Sequence, residues 1–127
     1  MSPGNVDELL ETWEAVYKKG LLSFWMLLLL DTRPSYAFEM RPLIEQLSQG
    51  SISADDNSLY RALNRFEDLG IVSSQVQPSP SGPARRYYRL SPNGQELLRR
   101  FIQRNLAVFG VPEVAEAKAK AQDHQDR

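Results

Sequence analysis

The run Leu21-Leu22-Ser23-Phe24-Trp25-Met26-Leu27-Leu28-Leu29-Leu30 constrains this chain more than any other segment. It is apolar but for one hydroxyl, so a helix built from it has no polar face to turn toward water and must be covered on every side. It falls far short of the roughly 20 apolar residues that a bilayer-spanning helix needs. An acidic segment precedes it and no small-residue cleavage site follows, so it lacks signal-peptide character as well. The reading that remains is a buried helix at the centre of one core, in a chain of 127 residues that is about the size of a single domain. No membrane partner is expected, and with no cysteine to suggest an oxidising compartment the cytoplasm is the default location.

The segments around this helix are also legible. Asn5 with Glu8 three residues on resembles a capping box, and Val6, Leu9, Leu10, Trp13, Val16 and Tyr17 recur at the spacing of one helical face. The Asp31-Thr32-Arg33-Pro34 turn ends the buried helix. A third helix is predicted over residues 35–48, with Phe38, Met40, Leu43, Ile44 and Leu47 available for packing and Pro42 as its weak point. Ser53 is placed as the N-cap of a fourth helix beginning near Ala54, with Leu59, Leu63, Phe66 and Leu69 as its buried stripe and Gly70 as its stop. Residues 71–77 and 85–90 alternate in short strands about a loop of Pro, Ser, Gly and Ala, which predicts a hairpin with a long mobile tip. Ser91 and Pro92 open a last long helix carrying Leu97, Leu98, Phe101, Ile102, Leu106 and Phe109, which Gly110-Val111-Pro112 ends. Residues 1–112 are therefore expected to form the folded domain, and residues 113–127 a polar, flexible, frayed or weakly helical tail.

Several chemistries are excluded or disfavoured by residue type. The absence of cysteine removes disulfides and thiolate metal sites, and the single histidine, His124, lies in the tail, so neither a histidine metal site nor a catalytic triad can be assembled. Asp55 and Asp56 sit where helix caps belong and are read as such rather than as a catalytic pair. No nucleophile, base and orienting group can be named together, so the chain is not read as an enzyme, and no cofactor is expected. The formal net charge of -1 gives no bulk attraction for nucleic acid, but Arg61, Arg65, Arg85, Arg86 and Arg89 are concentrated mid-chain while acids gather near the start.

Three helices followed by a hairpin is the order of a winged helix-turn-helix. The predicted fold is mainly α, with a two-stranded wing and additional N- and C-terminal helices. On that fold the buried stripe of the fourth helix leaves Asn57, Ser58, Tyr60, Arg61, Asn64 and Arg65 on the opposite side, where Arg can pair doubly with guanine and Asn with adenine. Arg85 and Arg86 would meet phosphate from the wing. Without that context the two arginines are as readily a solvated strand face. Tyr87 and Tyr88 alternate, and Tyr88 shares a face with Leu90 and is the core candidate.

The segments Ser58-Leu59-Tyr60-Arg61-Ala62-Leu63-Asn64-Arg65-Phe66-Glu67-Asp68-Leu69-Gly70-Ile71-Val72 and Gly82-Pro83-Ala84-Arg85-Arg86-Tyr87-Tyr88-Arg89-Leu90-Ser91-Pro92-Asn93-Gly94 resemble the PadR family of bacterial transcriptional regulators, as do Lys19-Gly20-Leu21-Leu22 and Tyr36-Ala37-Phe38-Glu39-Met40. The similarity covers about residues 19–100. Arg61 stands where the family usually has Pro, and Ala37 where it usually has Gly. The resemblance implies a homodimeric repressor of double-stranded DNA, with the terminal helices forming the dimer, a near-palindromic operator, a recognition helix at about 54–69 and a wing at about 78–90. A small-molecule effector bound among Trp13, Phe24 and Trp25 is a further possibility that the family suggests, although packing alone accounts for such aromatics. The rival reading is a protein-interaction winged helix that binds no DNA, motivated by the near-neutral charge.

Overall fold

The computed structural model describes residues 5–125; positions 1–4 of the expected domain and 126–127 of the expected tail lie outside the described residues. The chain forms two compact units, divided after Gln95.

In the first unit, α1 (Val6–Lys19) starts at Asn5, whose side chain accepts the Glu8 N–H at 2.8 Å. Its apolar stripe is bare: Val6, Leu9, Leu10, Trp13, Val16 and Tyr17 are all at least 49% exposed. The apolar run forms α2 (Leu21–Thr32), buried through Met26, Leu27, Leu29 and Leu30 and half-buried from Leu21 to Trp25, so the expectation of burial along its whole length holds only for its second half. It packs against α3 (Ala37–Leu47) and the sheet.

The predicted third helix starts two residues early in the sequence reading. Ser35–Tyr36 is instead a short strand, β1, and Tyr36 is the N-cap of α3, its N–H donating to Glu39 Oε1 at 3.3 Å. The helix carries through Pro42, forgoing the intrahelical bond that a residue with an N–H would give there. Phe38 and Leu47, expected to pack, are exposed, and Met40 and Ile44 supply the buried side. The turn to the next helix is held by Ser48 Oγ, which accepts the Ile52 N–H at 3.1 Å.

Helix α4 (Asp56–Asp68) begins later than expected because Asp55, not Ser53, is the cap: its Oδ1 accepts the Ser58 N–H at 2.7 Å. Leu59, Ala62, Leu63 and Phe66 are buried, whereas Leu69 is the C-cap and is exposed. Gly70 at φ 75° ends the helix as anticipated, with Gly70 N–H on the Glu67 carbonyl and Ile71 N–H on the Phe66 carbonyl at 2.8 Å, the paired bonds that close a helix into a left-handed residue.

The hairpin differs from the expectation of a long mobile tip. Strands β2 (Val72–Ser79) and β3 (Gly82–Leu90) pair from Val72↔Leu90 out to Ser79↔Gly82, leaving only Pro80 and Ser81 as the turn. Pro78 is absorbed where the register shifts between Gln77 and Ser79, a bulge position at which a missing N–H costs no ladder bond. β1 joins the other edge of β3 through Ser35↔Tyr88 and Tyr36↔Tyr87, giving three antiparallel strands in the order β1-β3-β2 where two were expected. Tyr88 and Leu90 are buried, as the alternation predicts.

Ser91 caps α5 (Pro92–Phe101), accepting the Gly94 N–H at 3.0 Å while its hydroxyl lies 2.6 Å from the Gly70 carbonyl oxygen. Beyond Gln95, in the second unit, the single long helix of the sequence reading is broken: Ile102–Leu106 is a π segment and Ala107–Gly110 a 3₁₀ turn, followed by α6 (Pro112–Gln125). A regular helix thus occupies most of the segment expected to be a weak tail. Among the described residues no helix is long and apolar enough to cross a membrane.

Candidate nucleic-acid interface

The burial of Leu59, Ala62, Leu63 and Phe66 dictates what α4 shows to solvent. Asn57, Tyr60, Arg61, Asn64 and Arg65 are exposed and Ser58 is half-buried, and their spacing of three and four residues keeps them on one side of the helix. No other part of the first unit covers that side. Arg61 Nη2 rests 3.5 Å from Ser58 Oγ, and the Arg65 guanidinium lies 5.9 Å from the Phe66 ring centre. Among the described residues none of Arg61, Arg65, Arg85, Arg86 and Arg89 forms an ion pair, so these cations keep their charge available to a polyanion.

The cap of this helix is also charged. The Ser58 backbone N–H, then the Ser58 hydroxyl, hold the Asp55 carboxyl below the usual carboxylate range. An ionised carboxylate at the first turn complements the positive end of the helix dipole.

Arg85 and Arg86 are placed on opposite faces of β3 by its two-residue alternation. Arg85 shares a face with Tyr87 and, across the ladder, with Tyr36: its guanidinium sits 4.5 Å over the Tyr36 ring, which meets the Tyr87 ring edge-on at 5.4 Å. Arg86 shares the other face with Tyr88. Its Nη1 donates to Ser74 Oγ at 2.9 Å, and that hydroxyl donates to Glu67 Oε2 at 2.5 Å, so the wing arginine is tied to the last turn of α4 through one serine. Burial, then the nearby Glu67 carboxylate, push the Tyr88 phenol up.

A cleft of about 660 Å³ runs between the wing and the helices, lined by Tyr36, Phe38, Tyr60, Arg85, Arg86 and Tyr88 among others. It brings together three of the eight residues singled out in the sequence, Tyr60, Arg85 and Arg86; the other five lie on the open side of α4. The aromatic lining residues Tyr36 and Phe38 were given no part in the site by the sequence. Tyr36 belongs to a strand too short to show any alternation, and Phe38, at 72% exposure, had been given a packing role. No signal in the sequence marks Phe38, because apolar type alone does not tell a packed residue from an exposed one. Among the described residues no group of three or more His, Cys, Asp or Glu is placed to hold a metal ion.

The sequence model of the transcriptional regulator PadR-like family matches residues 26–100, more than half of the chain. The chain belongs to the PadR-like family of transcriptional regulators. The family consists of regulators rather than enzymes, and the match takes in α3, α4 and the wing. Among solved structures, a PadR family transcriptional regulator from Eggerthella lenta is 26% identical over 87% of this chain and 95% of its own, with a TM-score of 0.65. A PadR-like regulator from Bacillus cereus is 23% identical over 83% and 94%, with a TM-score of 0.62. Bacillus subtilis PadR, solved in complex with operator DNA, is 18% identical over 67% of this chain but 48% of its own, with a TM-score of 0.61. These likenesses establish the winged-helix fold with added terminal helices. No curated protein matches the chain.

Proposed function

We propose that this PadR-like chain is a sequence-specific DNA-binding transcriptional regulator, a homodimeric repressor acting in the cytoplasm on a near-palindromic operator. The observation that carries the reading is the solvent-facing side of α4, where Asn57, Tyr60, Arg61, Asn64 and Arg65 stand uncovered and, among the described residues, its arginines form no ion pair. Such a side fits the major groove, with Arg and Asn reading base edges and Ser58 and Tyr60 reaching phosphate or base. Arg85 and Arg86 grip phosphate from the wing. The operator complex of Bacillus subtilis PadR supports the assignment, since the two share a fold.

Homodimerisation rests on apolar surface that the first unit leaves open. The stripe from Val6 to Tyr17 is an unusual expanse to leave in water, and two-fold pairing of identical surfaces is the commonest way to cover one. A dimer so formed would set two α4 helices about 34 Å apart, in successive major grooves. Residues 1–112 carry DNA binding and dimerisation in this reading, and residues 113–127 are an appendage to it. The added helix α1 also makes the chain similar to Pex, a cyanobacterial clock-related member of the family, and a finer reading as a Pex relative rests on that helix alone.

Selection of bound sequences from random duplex DNA tests the proposal, the expected result being a symmetric consensus. A stable protein partner recovered in its place, with no salt-sensitive DNA binding, would favour a protein-interaction module.

A further inference from the structure

A second cleft, of about 610 Å³, opens beside the start of α4 and shares no lining residue with the wing cleft. Its charged lining consists of Lys18 and Lys19 at the end of α1, Arg41 and Glu45 of α3, and Asp55 at the cap of α4. Helix α3 connects the two clefts. Phe38 lines the wing cleft while Arg41 and Glu45 line the second, and their spacing of three and four residues sets all three on one exposed helix face. Helix α4 does the same, with Ser58 in the second cleft and Tyr60 in the first. The two clefts therefore flank the first turns of α4 along the same solvent-facing side of the first unit.

The charges in this second cleft are not mutually neutralised. Lys18 is 2.9 Å from Glu14, and the Asp55 carboxylate is turned onto the Ser58 N–H. Lys19 and Arg41 are exposed and form no ion pair among the described residues, which leaves two cations facing solvent, with the Glu45 and Asp55 carboxylates as the anions of the same lining. Two flexible cations beside the leading end of a groove-reading helix match the spaced negative charges of a nucleic-acid backbone, and contacts of this kind fix orientation without reading sequence.

We infer that Lys19 and Arg41, supported by Lys18, hold a DNA phosphate on the side of α4 away from the wing, so that the recognition helix is seated between two phosphate-gripping sites. This rests on the DNA-binding reading above. A wing alone would leave α4 free to roll about its axis; a grip on each flank fixes that angle. Glu45 and Asp55 repel the same phosphate and set the grip below its full strength.

The test is fluorescence anisotropy of a random-sequence duplex, long enough for both halves of a dimer, titrated with the full chain over a range of salt. Lys19→Gln and Arg41→Gln should each lower the slope of log affinity against log salt by about 0.9 per protomer, about 1.8 for a bound dimer, and the double variant by about twice that. Glu45→Gln should tighten binding by roughly two- to fivefold, a gain that loss of structure does not produce. On a duplex carrying a selected operator, which fixes the register, replacing phosphates one at a time by neutral methylphosphonates should identify a position that weakens the wild-type chain but not the Lys19→Gln, Arg41→Gln double variant. All three sites are exposed, and thermal melts of the variants should match the wild-type chain. Unchanged slopes in both cation variants, with the Arg85→Ala wing variant still lowering the slope, would overturn the second grip and leave the DNA-binding reading intact. Absence of salt-dependent binding by the wild-type chain would overturn both.

Discussion

A Cβ at position 94 would lie 2.1 Å from the carbonyl oxygen of Ile71, and the obstacle is backbone, which cannot step aside. That approach exists because Ser91 pins the start of α5 to the end of α4 through the Gly70 and Ile71 carbonyls. Gly94→Ala should destabilise the chain by about 2 kcal/mol or more, read from urea unfolding at unchanged m-value. Asp55 gives the pH-dependent counterpart. Its folded pKa lies below the ordinary 3.8, so the cap contributes stability above that value and loses it as the pH falls through the lowered one. Asp55→Asn, which can still cap, should flatten the acid limb of a Tm-against-pH profile while changing Tm little at neutral pH. At this scale the sequence is only partly readable. Asp55 was recognisable as a capping residue, but Ser53 competed for the N-cap position, because either oxygen can serve and only the tertiary placement of α4 selects one. Gly94 was visible as part of a repeated family pattern, whereas its reason, contact with a residue more than twenty positions earlier, was not.

Among the elements, α3 ends on a conformation its sequence does not favour. Gln49 takes φ 55° so that Gly50 N–H can reach the Glu45 carbonyl at 2.7 Å. A side chain in the left-handed region costs about 1–2 kcal/mol, so Gln49→Gly should raise stability by about 1 kcal/mol in the same unfolding assay. Core truncation runs the other way: Leu63 is fully buried, and Leu63→Ala should cost about 2–5 kcal/mol. The helices were legible because apolar periodicity reports burial directly, as Leu59, Leu63 and Phe66 illustrate. What escaped were features decided by non-local pairing. β1 is two residues long and exists only because β3 has a free edge for it. The Pro/Ser/Gly-rich hairpin tip looked like a loop because composition carries no record of the bulge that accommodates Pro78. The π segment at Ile102–Leu106 lies inside a sequence whose apolar spacing is that of an uninterrupted helix, and nothing in the structure explains why it departs from one.

For the whole molecule, two expectations are quantitative. Each phosphate contact released should lower the salt slope by about 0.9, so Arg85→Ala and Arg86→Ala should each do so once per protomer, while Arg65→Ala should weaken binding to a selected operator more than to random duplex, by about 1–3 kcal/mol if Arg65 pairs with guanine. Arg86 is further distinguished by its tie to α4, and Ser74→Ala, which cuts that tie without removing charge, should preserve the slope and reduce operator preference. If the α1 stripe forms the dimer, Tm should rise with protein concentration, and Trp13→Glu should remove that dependence and give a monomer by light scattering. Of the candidate site, the polar side of α4 could be read from the sequence because it is the complement of a buried stripe. Tyr36 and Phe38 could not, since they reach the wing cleft only through the strand order.

That hairpin is laddered out to Ser79 and Gly82 in the free chain. A wing of this kind meets its ligand as a stiff paddle rather than as a tassel that must be ordered, and no freezing of backbone is charged against affinity. Its amides should resist hydrogen exchange before any duplex is added, and the heat-capacity change of complex formation should reflect only surface that the duplex covers, without the excess that accompanies folding on contact.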